Sequence, residues 1–288
     1  MKSLRRLGLG LATITGLKRR GWFIPHRYAD SLPAAGSNAS YASIEANFAE
    51  RLPLFLAVLQ RAEVLAPALR AIAAENGKPA GGPMGGPPNP RFDQGWFATL
   101  DAVAAYALVR ERRPARIVEV GSGHSTRFLA RALHDAGNDA PILSIDPQPR
   151  AAIEALAPRV SFERRTVQQI DLARFAALRA GDMLFIDSSH ILMPGSDCDW
   201  LFNRVLPILP AGVLVHIHDI FLPDDYPAVW GWRNYNEQQG VAPLLANGWR
   251  AIFSSHYVST RAKQELSWLD GLPRHEAAIA ASLWLEKP

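Results

Sequence analysis

Arg116-Ile-Val-Glu-Val-Gly-Ser-Gly-His-Ser-Thr126 is the stretch that decides the fold. Residues 117–120 read as a strand buried on both faces, with Glu119 on it. Gly121 and Gly123 form the turn, and Ser125 or Thr126 is placed to cap the helix that follows. A strand, a glycine turn and a helix start bring backbone N–H groups close to a small, nucleotide-like ligand.

The same alternation continues downstream. Apolar runs at 142–145, 160–162, 183–186 and 213–217 read as strands. Helical patterns at about 125–136, 150–157, 168–178 and 197–206 separate them, and 251–254 and 282–285 are candidate closing strands. This order predicts parallel strands joined by right-handed crossovers: an α/β, Rossmann-like, doubly wound sheet with helices on both faces. Upstream, 1–38 reads as irregular. Helices are expected at about 40–51 and 53–75, with Pro67 interrupting the second. Residues 77–90, rich in Gly and Pro, form a linker. The expectation is an N-terminal helical extension over 1–90 and a main domain over 91–288.

Composition narrows the function classes. The 288 residues carry a net charge of +4, and no basic stripe with interleaved aromatics runs through the main domain, which argues against a nucleic-acid partner. Lys2, Arg5, Arg6, Lys18, Arg19 and Arg20 crowd the start. Such a terminus is a solvated tail or a contact for phosphates or a membrane surface. The apolar run from Leu7 to Leu17 contains three glycines and is shorter than the ~20 residues a transmembrane span needs. No cleavage site follows it. The single cysteine, Cys198, excludes an intrachain disulfide, so the chain is expected in the cytoplasm. Residues 21–28 carry no assignable motif and are left as a lid or the arm of a homodimer.

A dinucleotide site would want a third small residue where Thr126 stands. Glu119, just before the turn, suits a cationic amine better than a pyrophosphate. Asp146 ends the second strand, where a carboxylate can accept both ribose hydroxyls. With Asp187 closing the fourth strand, these features resemble the class I S-adenosylmethionine-dependent methyltransferases over about 95–286. The resemblance implies a seven-stranded, mostly parallel sheet whose last strand is antiparallel, and S-adenosyl-L-methionine as cofactor. It implies that Gly121, Ser122 and Gly123 line the cofactor's amino-acid part, with Glu119 behind and Ser125 capping nearby. Asp146 would take the ribose, and Val167 and Gln168 would lie by the adenine.

A second constellation sits at the next strand ends, in Asp187-Ser-Ser-His190 and His216-Ile-His-Asp219. Adjacent parallel strands end side by side, so Asp187, His190, His218 and Asp219 can converge. One reading makes Asp187, His218 and Asp219 ligands of a divalent Mg, Mn or Fe ion. The other makes them turn caps and core histidines. His216, deeper in the strand, is expected to be structural. These positions resemble the metal sites of catechol-type and macrolide-sugar O-methyltransferases and of cephalosporin hydroxylase. The catechol-type pair on the fifth strand is Asp-Asn, whereas His218-Asp219 stands here. That motif's lysine base is replaced by His190, whose ordinary pKa near 6.5 suits proton removal.

Asp93, Trp96, Tyr226, Trp230 and Asn236 flank these strand ends and are candidate walls for a small-molecule or glycan acceptor. Three readings follow. The first is an O-methyltransferase in which Asp187 and His190 are catalytic. The second is a metal-dependent oxygenase or hydrolase on the same fold. The third is a non-catalytic cofactor-binding module.

Overall fold

The computed structural model describes residues 2–22, 24–75, 89–149 and 153–288. Seven strands form one sheet: β1 (Ile117–Val120), β2 (Ile142–Ile145), β3 (Val160–Glu163), β4 (Met183–Ile186), β5 (Leu214–Ile217), β6 (Arg250–Ser254) and β7 (Leu283–Glu286). Their order across the sheet is β3-β2-β1-β4-β5-β7-β6. The first five run parallel, and β7 enters antiparallel between β5 and β6. The order reverses between β1 and β4, where ligands bind in open α/β sheets. Strands β1, β4 and β5 are buried along their whole length, which is why they are continuously apolar in sequence apart from Glu119 and His216.

The N-terminal region departs from expectation at its start. Helix α1 (Lys2–Ile14) stands where irregular chain was expected. Its leucines recur at helical spacing, but Gly8 and Gly10 obscure the pattern in sequence. Helix α2 (Ala42–Val64) runs through Pro53 unbroken, and α3 (Ala66–Ala74) follows after a 60° bend, with Pro67 in its first turn. Proline is tolerated there because that N–H has no intrahelical partner. Phe48 and Phe55 of α2 pack edge-on against Tyr257, and Phe55 also against Phe253 of β6, so α2 shares one core with the sheet. The glycine- and proline-rich linker falls mostly outside the described residues.

Helix α4 (Thr99–Arg112) is buried from Thr99 to Val109 because it packs between α2 and the helix that follows the glycine turn. Its alanines permit that close approach. Helix α5 (His124–Asp135) starts from the glycine turn. Of the helix expected at about 150–157, residues 150–152 lie outside the described residues and Glu154–Leu156 form a 3-10 turn; the helix expected at 168–178 is reduced to Ala173–Ala176. No single helix is long and apolar enough to cross a membrane among the described residues.

Candidate active site

Backbone hydrogen bonds run one residue past the strands. Gly121 N donates to Ile145 O at 2.9 Å, Asp187 N to Val120 O at 2.8 Å and His218 N to Ile186 O at 2.9 Å. The carboxyl ends of four parallel strands therefore finish in one row. Gly121 has φ +91°, and a Cβ there would fall 2.3 Å from the carbonyl oxygen of Asp187. Only glycine lets the turn after β1 lie against the end of β4. A cavity of about 640 Å³ opens over the row. That volume is within the range of small-molecule sites.

Gly121, Ser122, Asp146, Val167 and Gln168 line one half of the cavity. Ser122 Oγ donates to Asp146 Oδ2 at 2.8 Å and Gln148 N to Asp146 Oδ1 at 2.7 Å, so the carboxylate is fixed in direction. Glu119, Gly123 and Ser125 are not on the wall. Glu119 is fully buried and accepts hydrogen bonds from Ser125 Oγ, Thr126 Oγ1 and Ser144 Oγ at 2.8, 2.7 and 2.9 Å. Burial lifts its pKa to about 7 against those three donors. Its observed contacts brace the turn from behind, tying β1, β2 and α5 together. Gly123 N donates to Thr126 Oγ1 at 2.9 Å, so the threonine side chain closes the helix start.

The other half holds Asp187, His190, His218 and Asp219. Strand β5 ends at Ile217, and Asp219 takes a left-handed φ of +56°, which swings its carboxylate into the cavity. His190 is likewise left-handed, at φ +61°. Its Nε2 lies 3.4 Å from both Asp187 Oδ1 and Asp219 Oδ2. Its Nδ1 lies 2.9 Å from Oε2 of Glu237, a residue with no solvent exposure. Burial alone would lower the pKa of His190, but Asp187, Asp219 and Glu237 raise it well above 6.5. The ordinary imidazole pKa expected from sequence is thus corrected upward, because three carboxylates surround His190. Asp187 is pushed up by burial, yet His190 and His218 hold it at about 2.

His218 does not point at the space between the carboxylates. Its Nε2 lies 3.0 Å from the Trp96 carbonyl oxygen, so that nitrogen carries the hydrogen, and it is 3.5 Å from Asp219 Oδ1. Its Nδ1 is buried without a partner. Among the described residues no group of three or more His, Cys, Asp or Glu side chains has the geometry to hold a metal ion. The set of Asp187, His218 and Asp219 does not fit a divalent ion in this arrangement. The His218 nitrogen nearest Asp219 carries a hydrogen held by the Trp96 carbonyl, and His190 lies between the two carboxylates where an ion would have to sit. His216 is buried in the core, stacked 3.7 Å from the Phe185 ring and hydrogen-bonded to Ser282.

Trp96 and Trp230 reach the cavity wall. Asp93 does not; it is exposed outside the cavity. Tyr226 packs behind the wall with Phe221, and its hydroxyl accepts from Gln238 N at 3.2 Å. Asn236 Oδ1 accepts from Leu192 N at 2.7 Å, which fastens the segment after His190. The residues that sequence reasoning missed are Trp22, Arg233 and Glu237; Tyr235, expected with the aromatics after the fifth strand, does line the cavity. The Arg233 guanidinium lies 3.9 Å over the Trp230 ring, and Tyr235 packs 4.6 Å from His190. No motif marks the missed residues; the fold back of residues 228–238 onto the strand ends brings in Arg233 and Glu237, and the N-terminal segment brings in Trp22.

Residues 118–220, less than half the chain, match the model of a family described as a methyltransferase domain. No curated protein matches the chain. Among solved structures it is similar to the SAH-bound Podospora anserina methyltransferase PaMTH1, at 16% identity over 65% of this chain and 77% of that one, with a TM-score of 0.41. It is similar to CmcI with Mg and SAM, at 14% identity over 66% and 72%, TM-score 0.36, and spans 60% of the length of CmcI in another structure. It is also similar to the plantazolicin methyltransferase BpumL, at 14% identity over 81% and 98%, TM-score 0.43. Likenesses this distant transfer neither substrate nor residue roles.

Proposed function

We propose that this chain, whose residues 118–220 match a methyltransferase-domain model, is a class I S-adenosylmethionine-dependent methyltransferase that methylates a hydroxyl oxygen on a small molecule or sugar. The supporting observation is the convergence of Asp187, His190 and Asp219 across one cavity from Gly121, Ser122 and Asp146. One half suits the methyl donor, and the other suits a hydroxyl that must lose its proton.

The cofactor fits the first half. Asp146, already oriented by Ser122, presents a carboxylate to two ribose hydroxyls, and the glycine turn admits the amino-acid part. Val167 and Gln168 would flank the adenine. When bound, the cofactor supplies a methyl group on a positively charged sulfur. Asp187 and Asp219 line the space beside His190 where the acceptor hydroxyl would sit facing that methyl group. The hydroxyl would donate its hydrogen to Nε2 of His190 in the deprotonated form that prevails at higher pH, and His190 would take the proton as the oxygen accepts the methyl group. Glu237 fixes the His190 ring by holding Nδ1. Trp96, Trp230 and Tyr235 offer apolar faces for a ring-shaped acceptor. The donor set fits no divalent ion, and the reaction proposed here needs none.

Isothermal titration with S-adenosylhomocysteine tests the cofactor half. Binding is expected, and Asp146→Ala should weaken it roughly 10- to 100-fold through lost charge-assisted hydrogen bonds. No binding tighter than about millimolar would sink the proposal. Mass analysis of phenol and sugar panels incubated with S-adenosylmethionine tests the acceptor half. Methyl gain on nitrogen or carbon instead of oxygen would overturn it.

A further inference from the structure

We propose that the basic N-terminal segment seats this molecule on an anionic lipid bilayer, with α1 lying in the membrane interface. Leu4, Leu7, Leu11 and Ile14 recur at spacings of three and four, so they form one stripe along α1. These side chains are 53% to 76% exposed, and Leu17 beyond the helix is 85% exposed. Of the seventeen exposed large hydrophobic side chains among the described residues, eleven fall between Leu4 and Tyr41. An apolar patch of this length on a water-facing helix marks a contact surface.

Charge identifies the partner. Residues 1–29 contain seven Lys and Arg and no Asp or Glu. The other 24 Lys and Arg are outnumbered by 27 Asp and Glu. The cationic excess of the chain therefore belongs to the segment that also exposes the leucines. A second copy is the obvious rival for an apolar stripe, but pairing two such segments would bring fourteen like charges together. An anionic headgroup layer takes both features at once, apolar side chains below and cations among the phosphates.

The helix itself is consistent with a surface partner. It has thirteen residues, no acidic residue in its first turn, and glycines at 8 and 10. A Cβ at either glycine would meet nothing within 4 Å, so neither is there to let another element approach. Such a helix is marginal in water and gains from lying on a surface. Trp22 lines the cavity that holds Asp187 and His190, and Leu9 and Ile14 share a second cavity of about 950 Å³ with Ile191, Met193 and Trp232. Docking would thus bring the acceptor site to the bilayer.

Flotation of the full chain with lipid vesicles tests this without substrate or cofactor, so its failure leaves the methyl-transfer proposal untouched. Binding is expected to phosphatidylcholine vesicles containing phosphatidylglycerol, and not to phosphatidylcholine alone, and it should fall as salt rises. Leu7→Glu with Leu11→Glu should cut binding at least about tenfold with an unchanged melting temperature, because both side chains face water. Arg19→Ala with Arg20→Ala should weaken binding to anionic vesicles. No binding to anionic vesicles, or undiminished binding by the leucine variant, would overturn the proposal. So would a soluble dimer that the leucine variant converts to monomer, since the stripe would then be covered by a second copy.

Discussion

Glu237 Oε2 lies 2.9 Å from His190 Nδ1, and both side chains are buried. The pair fixes the histidine ring and raises its pKa, while Nε2 faces two further carboxylates. A base with a raised pKa is stronger, but it is scarce in its neutral form at pH 7. The rate of methyl transfer should therefore rise with pH above neutrality. Glu237→Gln keeps the shape and removes one carboxylate, so the midpoint of that rise should move to lower pH. A pH profile of kcat checks this. A variant that only lowers the rate, with the midpoint unmoved, would reduce Glu237 to a packing role. His190→Ala should cost roughly 10²- to 10⁴-fold in kcat.

The two glycines of the turn should answer differently to alanine. At Gly121 the new Cβ would meet the Asp187 carbonyl at 2.3 Å, and φ is +91°. Gly121→Ala should lose roughly 1–3 kcal/mol of stability. At Gly123 a Cβ meets nothing within 4 Å and the backbone is extended. Gly123→Ala should melt like the wild type, so any loss of S-adenosylhomocysteine affinity would report a contact with the ligand itself. Calorimetry and titration on both variants separate the two effects.

Glu119 predicts how stability depends on pH. Its pKa is about 7 in the fold against 4.5 as the unperturbed value, so the folded state holds the proton more tightly. The stabilisation from this group is complete below pH 4.5 and is lost as pH rises through about 7. Glu119→Gln should flatten that fall, which amounts to at most roughly 3 kcal/mol. Denaturant melts of both proteins at several pH values check it. An unchanged slope would mean that the Ser125, Thr126 and Ser144 hydroxyls keep the carboxylate ionised.

His218 points its Nε2 at the Trp96 carbonyl, 3.0 Å away, so a chelator should leave the methyl-transfer rate unchanged. An activity lost to chelation and restored by Mg²⁺ or Mn²⁺ would require His218 to turn away from Trp96.

The sheet was legible because its strands are short apolar runs closed by polar residues, and all seven are found within a residue or two of where the pattern puts them. Asp187, His190 and Asp219 were legible as strand-end residues, since parallel strands end together. The charge state of His190 was not, because it depends on Glu237, 47 residues further on and joined to it only by the fold. Glu119 read as lying behind the glycine turn; its enclosure by three hydroxyls was not legible, because one of them, Ser144, comes from β2 and meets it only in the fold. The helix at the start was missed because two glycines mask its leucine spacing, and Pro53 suggested a break that α2 does not make.

Strand β7 carries a consequence for biosynthesis. It pairs His216 with Trp284 and Ile217 with Leu283, so β5 has no neighbour on that side until residues 283–286 are made. During synthesis the strand that leads into His218 and Asp219 waits as a bare edge, with Ser282 not yet there to hold His216. The cavity wall is therefore assembled late, by a segment that lies almost seventy residues beyond β5. A ribosome stalled within that interval would carry a half-sheet open to the wrong strand.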